Sequence, residues 1–284
     1  MLPQNVSQYL KIPRSKANRT IRQTTFLLLV VLLAIAANCQ AQSLGLGKGR
    51  TSDSGSYGSV AVAVIRQDTI IVAAESRTTT EGRINPDTTC KITIVDNIVF
   101  AATGLLKGNQ NALGIVDYAR SVLHSNSKTR YKLDTFQSGA SRLLTSWMNV
   151  PEERDSLLES STYRYLHSIR TMFCFFSRGE PVVVEYLFTP SLDRGRFKIG
   201  GVYDAGVRKP GEILWVGAFE ETAELLKKDS AFADRIHGLD AASAAQSLIQ
   251  RQMGYTPRIV GGDIDIVLIT PEGAKWLRRK QNCY

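Results

Sequence analysis

A lysine set inside a strand constrains a fold more tightly than overall composition does, and Lys91 is such a residue. Between Ser59 and Gly104 the chain holds four short runs of Val, Ile, Ala and Thr: Ser59–Arg66, Thr69–Glu75, Cys90–Val95 and Ile98–Thr103. The polar pairs Gln67-Asp68 and Asp96-Asn97 separate them, so each half of the stretch reads as a tight hairpin. Into this apolar fabric the sequence places few polar groups. Ser59 opens the first strand, Glu75 and Arg77 stand at the end of the second, and Lys91 sits in the third among Ile, Thr and Val. A buried lysine needs a partner or a purpose.

The rest of the chain alternates in blocks. Leu113, Val116, Ala119, Val122 and Leu123 recur at helical spacing within 109–125, and Phe136, Leu143, Leu144 and Trp147 do so within 133–147, which Pro151 helps to end. Strands are expected at Thr171–Phe176, Pro181–Phe188, Phe197–Tyr203 and Ile213–Gly217. Helices follow at Glu220–Lys228 and Ala241–Arg251, then a last strand at Asp263–Ile269. Residues 155–163 fit either a helix or a loop, and the basic tail Trp276–Tyr284 has no assignment.

The order of strands, two helices, strands, two helices and a strand fits an α+β fold, a four-layer αββα sandwich. Two antiparallel sheets would face each other, with helices on both outer faces. Coverage on both faces explains why the strands read as apolar runs rather than as alternating ones.

The stretch from Gly58 to Gly104 resembles the N-terminal part of proteasome β-type subunits and bacterial ring proteases, which are N-terminal-nucleophile (Ntn) hydrolases. The resemblance rests on Gly58, Ser59, the run Ala73-Ala74-Glu75-Ser76-Arg77, Lys91 and Thr103-Gly104. Glu75 lies 16 residues after Ser59, and Lys91 lies 16 after Glu75. The likeness extends to about Trp276 in topology, and Val260–Val267 is similar to the family's glycine-containing loop and final strand. Ser stands where the family has Thr, and Glu where it has Asp. The loop Pro257–Gly262 lacks the family's Asp and Ser, and no matching Ser precedes Ile213–Gly217.

The resemblance implies hydrolysis of peptide or other amide bonds by an N-terminal Ser59, exposed by a cut after Gly58. It implies no metal and no organic cofactor. Lys91 would lower the pKa of the attacking groups, Glu75 would hold Lys91, Arg77 would brace the site, and the Gly104 N–H would donate to the oxyanion. The alternative is a catalytically inactive scaffold or binding subunit, in which Ser59 merely opens a strand and Glu75–Lys91 is a buried ion pair. Proteasome-type subunits stack in rings, so a homo-oligomer is implied as well, although nothing in the sequence identifies a ring contact.

Ahead of this domain, Phe26–Ala37 is an uninterrupted apolar run of twelve residues, well short of the roughly twenty a membrane-spanning helix needs. Lys11, Arg14, Lys16, Arg19 and Arg22 precede it, and small residues follow, the pattern of a secretory signal peptide covering 1–41. A lipid on Cys39 is the alternative, though Asn38 fits that motif poorly. Residues 42–58 read as a flexible linker or a propeptide, and 59–284 as the domain. The protein is therefore expected to be exported, periplasmic or secreted, meeting the membrane only through the signal segment.

Of the net charge of +9, those five residues supply 5, leaving +4 for the remainder. That is an ordinary surface, not a nucleic-acid stripe. His124, His167 and His237 are too scattered for a zinc site, and there is no G-x-S-x-G elbow. Tyr163, Tyr165 and Arg170 form a basic-aromatic patch that reads as packing. With Cys39 lost with the signal, Cys90, Cys174 and Cys283 remain, an odd number that suggests no disulfide framework. Cys174, in an apolar run, reads as a small buried hydrophobe.

Overall fold

A computed structural model describes residues 59–77, 79–80, 83–84, 90–104, 114–151, 154 and 168–280. The first hairpin joins β1 (Val60–Ile65) to β2 (Ile70–Glu75), with every residue of both strands buried. A two-stranded ribbon follows, β3 (Thr79–Thr80) with β4 (Arg83–Ile84). The second hairpin joins β5 (Ile92–Val95) to β6 (Ile98–Thr103). Its turn is Asp96-Asn97, with Asp96 at φ 53°, a left-handed conformation that Asp tolerates. Helices α1 (Ile115–Leu123) and α2 (Thr129–Met148) come next. Four strands follow: β7 (Ile169–Ser177), β8 (Glu180–Asp193), β9 (Arg196–Val207) and β10 (Ile213–Gly217). Helices α3 (Glu220–Lys228), α4 (Ser230–Gly238) and α5 (Ala241–Tyr255) precede β11 (Ile264–Thr270) and β12 (Gly273–Arg278).

The long strands form two antiparallel five-stranded sheets, ordered β10-β1-β2-β11-β12 and β5-β6-β7-β8-β9. With five helices among the described residues, the class is α+β. Alternation along each strand sorts the core. Ala61, Ala63, Val72 and Val267 from the first sheet pack with Val99, Ala101, Met172 and Cys174 from the second. The opposite face of the first sheet packs Val62, Ala73 and Ile266 on Phe232, Leu248 and Ile249 of α4 and α5. The opposite face of the second sheet packs Phe100, Phe173, Tyr186 and Phe188 around Phe136 of α2. There the Phe100–Phe173 and Phe136–Phe173 ring centroids are 4.8 and 4.9 Å apart. Such contacts add ~0.5–1.5 kcal/mol each beyond area burial.

Two expected features are corrected. Asp263–Ile269 does not hold the last strand, because Thr270 turns through Pro271 and Glu272 into β12, which pairs back onto β11. The second helical block holds three helices, not two. Helix α4 is short, but Asp229 caps it by accepting from the Phe232 N–H at 2.9 Å, and Phe232 and Ile236 bury one face. Asp240 caps α5 in the same way, accepting from the Ala242 and Ser243 N–H groups at 3.0 Å each. Strands β8 and β9 run past their expected ends. The possible element at 155–163, the patch residues Tyr163 and Tyr165, and the segments 1–41 and 42–58 lie outside the described residues. No helix among the described residues is long and apolar enough to cross a membrane.

Candidate functional site

The site is built where the first hairpin meets the start of the second. Glu75 ends β2, and Lys91 sits one residue ahead of β5, where its carbonyl still accepts from the Ala102 N–H at 3.1 Å. Both are fully buried. Their side chains form an ion pair through Glu75 Oε1, and Lys91 Nζ also donates to the Arg77 carbonyl at 2.5 Å. An ammonium in this position costs several kcal/mol to desolvate, so the pair demands full hydrogen bonding.

The carboxylate receives it. The Val60 N–H donates to Glu75 Oε1 at 3.2 Å. The Arg77 and Gly261 N–H groups donate to Oε2 at 2.6 and 3.1 Å. The longer side chain relative to Asp is therefore accommodated, with both oxygens satisfied and the lysine still in reach. Because Val60 follows Ser59 directly, the carboxylate that grips Lys91 also holds the backbone next to the candidate nucleophile.

Ser59 is buried at the mouth of β1, and its carbonyl accepts from the Ala218 N–H at 2.8 Å. Gly217 makes this approach feasible. It has φ 95°, and a Cβ there would overlap the Ser59 carbonyl and sit 3.1 Å from Thr103 Cβ. Ser59 and the end of β6 thus converge on Gly217. Gly104, immediately after Thr103, has φ 93° and is packed against the Ser168 carbonyl.

The loop before β11 plays a part the sequence did not disclose. The Gly261 carbonyl accepts from the Ser76 and Arg77 N–H groups at 3.3 and 3.0 Å. The Arg77 guanidinium donates to the Pro257 carbonyl and lies so close over Gly261 that a Cβ there would overlap it. The loop lacks Asp and Ser side chains and contributes backbone groups instead. Arg77 braces the site by clamping that loop. Ser59, Glu75, Arg77, Lys91 and Gly104 therefore gather at one end of the two sheets, while Gly58 lies outside the described residues.

A second buried pair was also missed. Asp265 is 1% exposed and accepts from the Lys280 backbone N–H at 2.8 Å and from its Nζ at 2.9 Å. The only signal was an Asp in an apolar strand.

The cysteine reading needs correction as well. Cys90 is disulfide-bonded, and Cys174 is a free, buried thiol whose pKa burial raises. A bridge at Cys90 stands beside a free Cys174, so an odd count does not exclude a bridge. The bridge partner lies outside the described residues. His124 follows α1, His237 lies in the last turn of α4, and both are exposed; His167 lies outside the described residues. No group of metal-ligating side chains occurs among the described residues. Arg170 lies exposed on β7. No family model and no curated protein matches this chain.

Proposed function

We propose that this chain is an exported, proteasome-like Ntn hydrolase that cleaves peptide or other amide bonds, with Ser59 as the nucleophile after the Gly58–Ser59 bond is cut. Its two sheets and five described helices then form the αββα sandwich of the Ntn type. One observation carries it: a fully buried ammonium, Lys91, gripped by a carboxylate that also holds the backbone beside Ser59. Buried charge pairs are poor stabilisers relative to apolar packing, so an elaborately bonded one at a strand mouth supports a functional use.

Once exposed, the Ser59 α-amine, with a reference pKa of roughly 7.7–8.0, has a large neutral fraction near pH 7. The ammonium of Lys91 lowers the pKa of both amine and hydroxyl. The amine takes the hydroxyl proton as Oγ attacks the carbonyl carbon. The tetrahedral oxyanion accepts from the Gly104 N–H, then collapses as the leaving amine takes the proton. Water next attacks the Ser59 ester, and its proton returns through the amine to Oγ. Glu75 holds Lys91 charged, and Arg77 holds the loop that completes the carboxylate's shell. The disulfide at Cys90 supports passage through an oxidising compartment.

The test is Ser59→Ala beside the unaltered protein, assayed by hydrolysis of a peptide-amide library with mass detection. Loss of both hydrolysis and the Gly58–Ser59 cut, with circular dichroism unchanged, is the expected result. Equal behaviour of the two proteins would leave the scaffold reading in its place.

A further inference from the structure

We infer that the outer edge of β9 pairs, antiparallel and in two-fold register, with β9 of a second copy of this chain. This strand is the last in its sheet, and its inner edge is taken by β8 from Val182↔Val207 to Asp193↔Arg196 without a bulge. The Arg208 N–H donates to the Pro181 carbonyl at 2.8 Å, continuing that register. In an antiparallel ladder the residues alternate in the direction of their backbone groups. Even-numbered residues of β9 therefore bond inward to β8, and odd-numbered residues point outward.

Helix α2 covers the first half of that outward row. The Asn149 side chain accepts from the Phe197 N–H at 2.9 Å and donates to the Phe197 carbonyl at 2.8 Å. Thr145 Oγ1 accepts from the Ile199 N–H at 3.3 Å. Side chains here do what a neighbouring strand would otherwise do. The second half has no such cover. The outward N–H and C=O groups of Gly201, Tyr203, Ala205 and Val207 meet no partner among the described residues.

Chains that remain monomeric guard such an edge with Lys, Pro or a bulge. From Gly201 to Val207 there is one charge, Asp204, and it is engaged by Arg208 at 2.7 Å. The segment instead displays Val202, Tyr203 and Val207, at 70%, 61% and 58% exposure. These are three of the eight exposed large hydrophobic side chains among the described residues, gathered on one six-residue span.

A second copy suits this edge because two-fold pairing offers each outward group its own counterpart and closes the assembly at two chains. Charge chooses the register. Centring the axis on Asp204 would set two carboxylates opposite each other, which is unfavourable. Centring it on Tyr203 sets ring beside ring, Gly201 opposite Ala205 and Val202 opposite Asp204, with about six new backbone hydrogen bonds. The Asn149 and Thr145 contacts mark where the pairing stops.

The experiment is light scattering with size exclusion on the full chain and on two variants. Ala205→Pro removes an outward donor and leaves the β8 ladder intact, because residue 205 gives β8 no hydrogen bond. Tyr203→Lys sets like charges at the axis. The unaltered chain is expected at twice the single-chain mass, and both variants at half of that, with circular dichroism unchanged. Hydrogen exchange should show the Tyr203 amide protected in the unaltered protein and losing that protection in Ala205→Pro. A single-chain mass for the unaltered protein, or an oligomer that Tyr203→Lys leaves intact, overturns the proposal. Tyr203→Lys decides the matter if the proline variant fails to fold, because residue 203 is exposed.

Discussion

Glu75–Lys91 and Asp265–Lys280 lie one step apart across the β2–β11 ladder, where Ile264 faces Glu75 and Asp265 faces Ala74. Both are carboxylate–ammonium pairs, and both carboxylates are essentially unexposed. They differ in what they fasten. Among the described residues, Asp265 receives the backbone N–H and the ammonium of Lys280, and so ties the chain just after β12 to the sheet. Glu75 gathers N–H groups from Val60, Arg77 and Gly261, three separate segments, around one ammonium. The first arrangement is a latch. The second fixes a charge in space, and β1, the loop before β11 and the turn after β2 all contribute to it. A fold needs latches, whereas a chemical step needs a charge held in one place before the reaction begins.

The largest effect should come from breaking the second arrangement by one partner. Glu75→Ala leaves the Lys91 ammonium buried beside three unanswered N–H donors and should cost about 3–5 kcal/mol, read as a lower urea midpoint. Asp265→Ala should cost less, about 1–3 kcal/mol, because fewer backbone N–H groups among the described residues rely on Asp265 than on Glu75. Equal losses would mean that the two pairs do the same work.

Replacing both partners sharpens the contrast. Glu75→Leu with Lys91→Met removes the buried ammonium but still leaves the Val60, Arg77 and Gly261 N–H groups without their carboxylate, so only the part of the Glu75→Ala loss that comes from the ammonium should return. Amide hydrolysis should not return. A double variant that is stable and still active would remove the functional role assigned to the pair.

A third pair supplies the smallest and most specific test. Glu185 is 3.9 Å from Arg208, whose shorter bond, 2.7 Å, goes to Asp204. Burial pushes the Glu185 pKa above its ordinary 4.5, with Arg208 only partly opposing. A carboxyl raised in the folded state adds stability below its unfolded pKa and loses it as pH rises through the folded value. The urea midpoint should therefore fall across that window, and Glu185→Gln should flatten the fall. An unchanged slope in the variant would show that Arg208 already offsets the burial.

The sequence made the hairpins visible because their residues are almost uniformly β-branched or small, and the turns are marked by Gln67-Asp68 and Asp96-Asn97. It also made Glu75 and Lys91 visible, since charges in apolar strands stand out. Gly261 could not be seen there. Its contribution is a backbone N–H, brought to Glu75 from 186 residues away, and no side chain advertises it. Lys280 was hidden in a basic tail, where one more cation carries no signal. Helix α4 and strand β12 are short, and their apolar residues are too few to set a period. The bridge at Cys90 was obscured by counting, because an odd total was read as the absence of pairs.

The most direct test of the central claim is the intact mass and N-terminal sequence of the mature protein recovered from the cell envelope. The account predicts a chain beginning at Ser59, with its α-amine free to act as base. A mature chain that keeps residues before Ser59 would have no such amine, and the Ntn mechanism would be contradicted.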